Sequence, residues 1–361
     1  MPIVRVDLDQ RAYDVIVEAG CLTSAGKLIK RAGLDHKRVA VISDSTVANF
    51  HGDVLLKSLE ADGHACTLHK VPPGEASKSL TQAEGLCREL TQEGHDRKSM
   101  IVALGGGVVG DLAGFVAAIF YRGIPFVQIP TTIVSQVDSS VGGKTGVNIS
   151  EGKNLVGAFH QPKLVLVDPD TLKTLGDREY REGFAEAIKH AAIRDGAMLA
   201  DLAALDPSCR EVPADLIARN IAIKARVVEQ DEQETSGMRA ILNFGHTIGH
   251  GIEASVPYGK LLHGEAIALG MRAALHLSVT RNALSPSDAK QVLGVLSHFG
   301  LPLVLPEHIE TDLVLAKLAR DKKFEQGAIR FVLLDALGKA AVHDNISHNE
   351  LRNAIEELRN A

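Results

Sequence analysis

Cysteine is scarce, with four in 361 residues. Cys21, Cys66, Cys87 and Cys209 show neither metal-knuckle nor disulfide spacing, so they read as reduced thiols. No uninterrupted apolar run reaches bilayer-spanning length, which excludes a transmembrane helix. The N-terminus, MPIVRVDLDQ, lacks the pattern of a secretory signal, and a cytoplasmic protein is expected. A basic excess is missing too. The 39 Lys and Arg are outweighed by 45 Asp and Glu, giving a net charge of −6. That argues against a nucleic-acid or membrane-surface role, and any basic site must be local. Repeats and low-complexity tracts are also absent. What remains is 45% hydrophobic and 23% charged, and long enough for two domains with real cores.

The most informative stretch runs from Met100 to Gly157. Met100 to Leu104 reads as a short buried strand, followed at once by Gly105, Gly106 and Gly107 and then a small, apolar helix. Glycines between a strand and a helix N-terminus let an anion approach unpaired N–H groups favoured by the helix dipole. Gly105, Gly107 and Gly110 match G-x-G-x-x-G formally. The match is imperfect as a dinucleotide fingerprint, because no acidic residue ends the next strand, which stops at Thr131 and Thr132. Gly142-Gly143-Lys144-Thr145 resembles the end of a P-loop, but Asp138 stands where the first P-loop glycine belongs. Glu151-Gly152-Lys153-Asn154 adds a second lysine to this polar, glycine-rich segment. The set suits an anionic ligand such as a phosphate-bearing cofactor.

Elsewhere in the first half, strands alternate with helices. Ile3–Leu8, Tyr13–Glu18, Val39–Ile42, His64–Val71, Phe126–Pro130 and Leu164–Val167 read as strands. Asp44 closes one of them, where it can face a ribose or cap a helix. From about Asp177 the periodicity is mainly helical: 181–193, 214–230, 240–254, 265–277, 286–299 and 311–322, with strands at 329–334 and 339–343. The expected fold is an α/β N-terminal domain with a Rossmann-like parallel sheet, residues 1–175, plus a mainly α-helical C-terminal domain, residues 176–361.

The helical half carries its own constellation. In Asn243-Phe244-Gly245-His246-Thr247-Ile248-Gly249-His250, two histidines stand at i and i+4 on one helix face, a zinc-site spacing. Leu262-His263-Gly264-Glu265 follows. Upstream, Glu186, Lys189 and His190 lie at i, i+3 and i+4. These residues suggest a divalent metal, most simply zinc. Read from spacing alone, His246 and His250 are the ligands, with His263 or Glu186 third. Lys224, Arg239, Lys322 and Lys323 are available for a carboxylate or phosphate.

GGGVVGD, QIPTT, VDSSVGGKT, GKN, AEAIKH, LNFGHTIGH and LHGE occur in this order and spacing, and together they resemble the 3-dehydroquinate synthase family. The resemblance implies an NAD-binding α/β domain, a helical domain that binds a metal (zinc or cobalt) and the substrate, and a homodimer. It also implies the family's chemistry. In that reaction 3-deoxy-D-arabino-heptulosonate 7-phosphate becomes 3-dehydroquinate and phosphate. The steps are transient oxidation, β-elimination, re-reduction and aldol closure, within the shikimate pathway. Another sugar phosphate cyclase or a metal-dependent polyol dehydrogenase is the alternative.

Carried over by motif, the resemblance implies metal ligands Glu186, His246 and His263, which reassigns His250 to substrate. NAD would meet Asp44, Glu75, Lys78, Gly107, Val108, Val109, Gly110, Asp111, Thr131, Thr132, Asp138, Lys144, Lys153, Thr171 and Thr174. Substrate would meet Lys144, Asn154, Lys189, Lys224, Glu234, Arg239, Asn243, His250 and Lys322 or Lys323. Arg122 would reach the phosphate from the partner subunit. Pro73, in the loop before Glu75, and the Thr235-Ser236 segment depart from the family pattern without removing a functional side chain.

Overall fold

The computed structural model describes residues 1–257, 259–318, 324–325 and 328–360, with backbone alone at 324, 325, 328 and 329. It divides into two compact units: Met1–Leu175 with Glu211–Gln233, and Gly176–Arg210 with Glu234–Ala361.

The first unit is built from β1 (Ile3–Val6), β2 (Tyr13–Val17), α1 (Ala25–Arg31), β3 (Arg38–Asp44), α2 (Ser45–Val47), α3 (Asp53–Ala61) and β4 (Ala65–Val71). It continues with α4 (Leu80–Gln92), β5 (Met100–Gly105), α5 (Gly107–Ile119), β6 (Phe126–Pro130), β7 (Lys144–Ile149), β8 (Gly152–Phe159) and β9 (Leu164–Val167). Seven strands form one sheet in the order β1-β2-β9-β6-β5-β3-β4. All neighbours are parallel except β1 and β2. Strands such as β5 and β9 are buried at every position, as a sheet covered on both faces requires. Alternate residues feed two cores. Ala40, Ile42, Ile101 and Ala103 pack with residues of α4 and α5, while Val39, Val41, Val102 and Leu104 pack with residues of α1 and α3. Sequence order reverses direction between β3 and β5, so the carboxyl ends at Asp44 and Gly105 flank a topological switch point, where such sheets bind ligands.

The polar segment expected as a loop after Asp138 is instead an antiparallel hairpin, β7 with β8. Its glycines make the pairing possible. A Cβ on Gly146 would stand 2.8 Å from the Val156 carbonyl oxygen, and one on Gly157 would collide with the Thr145 carbonyl. Two glycines and the exposed Lys153, Asn154, Leu155 and Phe159 give β8 no apolar-in, polar-out alternation, which hides the strand from a hydrophobicity pattern.

Beyond Leu175 come α6 (Asp177–Arg194) and α7 (Met198–Ala203) in the second unit. Then α8 (Ala214–Gln230) returns to the first unit, against β1, β2 and the turn at Ser135–Ser139. The expectation of one helical domain from 176 onward therefore differs from the observed grouping by this helix. α8 shows an ordinary amphipathic pattern, and nothing local in it says which unit its apolar face meets. The second unit resumes with α9 (His246–Glu253), α10 (His263–Thr280), α11 (Pro286–His298) and α12 (Thr311–Leu318). A small antiparallel sheet follows, β10 (Phe324–Glu325), β11 (Ala328–Ala336) and β12 (Lys339–Ile346), and then α13 (His348–Glu357). The helix expected at 240–254 is broken. A tight turn at Met238–Asn243 precedes α9, and Gly245 between them has φ 78°, a left-handed value that suits glycine. Lys322 and Lys323 lie outside the described residues. Among the described residues no helix is long and apolar enough to cross a membrane.

Candidate active site

In the first unit, the expected nucleotide residues gather at the carboxyl ends of the strands. Gly106 precedes α5 and has no side chain to cap the first-turn N–H groups of Gly107, Val108 and Val109. The glycines also permit close packing. A Cβ on Gly106 would lie 3.0 Å from Thr132 Cγ2, one on Gly107 3.1 Å from Ser139 Oγ, and one on Gly110 3.1 Å from Gln128 Oε1. Asp44 caps α2, with the Thr46 and Val47 N–H groups donating to Oδ1 at 2.9 and 3.0 Å, which leaves Oδ2 available to a hydroxyl. Buried Lys78 forms an ion pair with Asp111, whose carboxyl is pushed up by burial and held down by that lysine. Thr131 Oγ1 is buried without a hydrogen-bond partner among the described residues, an orphan that a bound polar group would satisfy. Thr132 is engaged with Ser135, and Thr174 Oγ1 with His51 Nε2 at 2.9 Å. Thr171 is locked between Gln136 and the Asp168 carbonyl.

Asn148 was not singled out from sequence, yet it joins three of these residues. Its side chain donates to Glu75 Oε1 at 2.7 Å and accepts from the Asn154 N–H at 2.8 Å, and its backbone N–H donates to the Lys78 carbonyl at 2.8 Å. Lys224 Nζ lies 2.7 Å from the Asp138 carbonyl and 2.9 Å from its carboxylate. Lys144 and Lys153 are exposed on β7 and β8.

Backbone conformation marks other expected residues. Among the described non-glycine residues with positive φ are Arg122 (67°), Asn154 (57°) and Glu234 (58°), with Tyr121 (50°) beside the first. Each left-handed residue costs about 1–2 kcal/mol, and such strain persists where surroundings enforce it, often at functional sites.

In the second unit, Glu186 on α6, His246 opening α9 and His263 opening α10 converge. One donor atom from each lies within 4.8 Å of the others. Hydrogen bonds fix the histidine tautomers. His246 Nδ1 faces the Phe244 carbonyl at 3.1 Å and must donate, so Nε2 carries the lone pair, 3.4 Å from Glu186 Oε1. His263 Nδ1 donates to Glu253 Oε2 at 3.3 Å, which turns its Nε2 toward the same Glu186 oxygen at 3.4 Å. Two imidazole Nε2 atoms and a carboxylate converging on one point can hold a cation in place of the His263 proton. The carbonyl and carboxylate behind the rings are the usual outer partners of metal-bound histidines. Two imidazoles and one carboxylate fit a catalytic zinc-type ion that keeps open positions.

Charge follows the same logic. Glu186 is fully buried, yet Lys189, its ion-pair partner, and His246 outweigh burial and hold its carboxyl well below the ordinary range. Burial pulls the His263 ring down, but Glu186 and Glu253 overcome this and push it up to about 10. Burial raises the Glu182 carboxyl to about 7 while it accepts from the Gly264 N–H at 2.6 Å, holding the start of α10. Buried Arg239 pairs with Glu234 at 3.5 Å, and Asn243 ends the turn before α9. His190 is fully buried on α6. His250 is exposed on α9, and its donor atom lies within 4.8 Å of those of Glu253 and His263. The geometry therefore offers His263 an inner set with Glu186 and His246 and an outer set with His250 and Glu253, and only the inner set has a fully buried carboxylate.

Glycine sets the spacing of the helices that carry His246 and His263. A Cβ on Gly270 of α10 would collide with the Gly245 carbonyl and stand 2.6 Å from the Gly249 nitrogen, so backbones of the two helices touch. Gly270→Ala is expected to destabilise the fold by about 1–3 kcal/mol or more through overpacking. A Cβ on exposed Gly294 of α11 would meet nothing within 4 Å among the described residues beyond its own helix, and alanine there should instead stabilise by up to about 1 kcal/mol. Urea unfolding of the two variants checks this, and equal stability would refute the backbone contact.

Two family models cover most of the chain: the 3-dehydroquinate synthase N-terminal model matches residues 68–182 and the C-terminal model residues 183–324. The chain belongs to the 3-dehydroquinate synthase family. The 3-dehydroquinate synthase of Pelobacter propionicus is 46% identical over 346 residues, 95% of this chain and 96% of that protein. Among solved structures, 2-epi-5-epi-valiolone synthase from Streptomyces hygroscopicus, with NAD+ and Zn2+ bound, is 29% identical with a TM-score of 0.87 over 98% of each chain. A 2-deoxy-scyllo-inosose synthase complexed with carbaglucose-6-phosphate, NAD+ and Co2+ is 26% identical with a TM-score of 0.86, over 99% of this chain and all of that one. The fold of these cyclases is thus the fold of this family member, a parallel-sheet unit with a helix-rich one.

Proposed function

We propose that the chain acts as a 3-dehydroquinate synthase on 3-deoxy-D-arabino-heptulosonate 7-phosphate, with NAD on the first unit and one zinc or cobalt ion on the second. The observation that carries this reading is the convergence of Glu186 with the Nε2 atoms of His246 and His263 in a chain 46% identical to a member of that family. When bound, NAD takes up and later returns one hydride, and the ion polarises substrate hydroxyls.

The protein's residues do the rest. Glu186, His246 and His263 hold the ion and leave positions for two hydroxyls. The N–H groups of Gly107, Val108, Val109 and Gly110 take the dinucleotide phosphates, and Asp44 Oδ2 a ribose hydroxyl. Glu75, Lys78, Asp111, Thr131, Thr132, Asp138, Lys153, Thr171 and Thr174 surround the cofactor. Lys189 and Arg239 bind the substrate carboxylate, the latter through its fork. Lys224, Glu234 and Asn243 orient hydroxyls. Lys144, Asn154 and His250, with Arg122 of a second copy, hold the phosphate while one of its own oxygens takes the C6 proton and the phosphate leaves. Ring opening and aldol closure follow.

Phosphate release from the heptulosonate phosphate, with NADH followed in parallel, tests the reading. Phosphate should appear with catalytic NAD and no NADH build-up. Stoichiometric NADH would make the chain a dehydrogenase, and turnover of a sugar phosphate lacking the carboxylate would make it another cyclase.

His250→Ala is expected to keep its ion and lose turnover about a hundredfold or more, the usual contribution of an acid or anchoring group. Ion stoichiometry compared with turnover decides. Loss of both would return His250 to the ligand set.

A further inference from the structure

A second cluster of ligating side chains lies on the first unit, among residues with no part in the proposed reaction. Thr67 and His69 stand two apart on one face of β4, the edge strand of the sheet. Glu89 projects from α4, and Glu93 and His95 follow that helix. There Gly94, at φ 76°, turns the chain so that the His95 N–H donates to the Leu90 carbonyl at 2.9 Å. Both histidines are only 3% exposed. One donor atom from each of His69, Glu93 and His95 lies within 4.8 Å of the others.

The proton positions follow from the partners. His69 Nδ1 must donate to Glu89 Oε2 at 3.0 Å, so in the neutral ring its Nε2 carries a lone pair. That lone pair faces two oxygens, Thr67 Oγ1 at 2.8 Å and Glu93 Oε2 at 3.6 Å. The threonine hydroxyl supplies its one proton to His69 and therefore accepts from His95 Nε2, also at 2.8 Å. The chain ends at His95 Nδ1, which is buried with no hydrogen-bond partner among the described residues. Hydrogen bonding leaves a buried orphan nitrogen unexplained, which costs about 1–3 kcal/mol, and beside this chain the Glu93 carboxylate stands 3.6 Å from His69 Nε2.

We propose that His69, His95 and Glu93 bind a divalent transition-metal ion of the zinc class, bridging β4 to the end of α4. Glu89 behind His69 supplies the carboxylate–histidine–metal arrangement that orients such ligands. Imidazole donors select zinc, nickel, copper or cobalt and disfavour magnesium or calcium, which want oxygen. The ion pins an edge strand to its neighbouring helix, so its first effect is on stability. This inference is independent of the proposed reaction.

The test is uptake of added zinc by the full chain, measured after desalting, in the parent, Glu93→Gln and His95→Gln. The parent is expected to retain one more zinc per chain than either variant and to melt at a higher temperature with zinc than without. Glu93 is half-exposed, so its variant keeps the fold and separates ligand loss from unfolding. His263→Ala, which dismantles the cluster in the second unit, should still show the difference. Equal zinc uptake in parent and Glu93→Gln would overturn the proposal and leave the cluster a hydrogen-bonded chain.

Discussion

Replacing His263 with alanine is expected to strip the second unit of its divalent ion and to lower turnover at least about a thousandfold. Three donors face one point, and removing one leaves a carboxylate and a single imidazole, too few to retain the ion through purification. A Lewis acid stabilises developing charge by several kcal/mol, and each 1.4 kcal/mol is tenfold in rate. His263 is the first residue of α10 and its side chain is 36% exposed, so truncation opens no large cavity and the fold should persist. Metal analysis of the purified variant is the measurement. Full occupancy without activity would assign His263 to another task.

Subunits inactivated at Arg122 and at Lys144 should rescue each other. If Arg122 serves a neighbour's phosphate, a dimer of one Arg122→Ala and one Lys144→Ala chain contains one complete site and one doubly damaged site. Random re-pairing of equal amounts makes half the dimers mixed, so about a quarter of the parental sites return, by two-fold symmetry. The motive is local. Tyr121 and Arg122 hold left-handed backbone angles directly after α5, followed by Gly123 at φ 120°, and Tyr121 is 47% exposed. Verified mixed dimers with no more activity than either parent would end the cross-subunit idea.

The sheet was legible because parallel strands covered on both faces must be continuous apolar runs, as Met100–Gly105 and Leu164–Val167 are. The β7–β8 hairpin was not, because its glycines and exposed polar residues read as loop. α13 went unnoticed even though Ser347 and Glu350 form a capping box, a start signal available in the sequence. The histidines show the deeper limit. Spacing pairs His246 with His250, since i and i+4 share a face. The partner that distinguishes them, Glu186, comes from another helix, and no local periodicity reports it. The family motifs did carry Glu186, His246 and His263 together, and the geometry gathers those three donors. Outer partners such as Glu253, Glu182 and Asn148 had no such signal, because each acts only through a neighbour distant in sequence.

The left-handed angles at Arg122, Asn154 and Glu234 bear on how this chain would change under selection. Glycine adopts such angles freely, so after its own entropy cost it would relieve up to about 1 kcal/mol at each position. A directed-evolution campaign rewarding heat resistance alone would therefore drift toward glycine at three positions expected to touch substrate. Such a lineage would grow hardier as it lost its chemistry, and keeping side chains there requires a screen that reads turnover in every round.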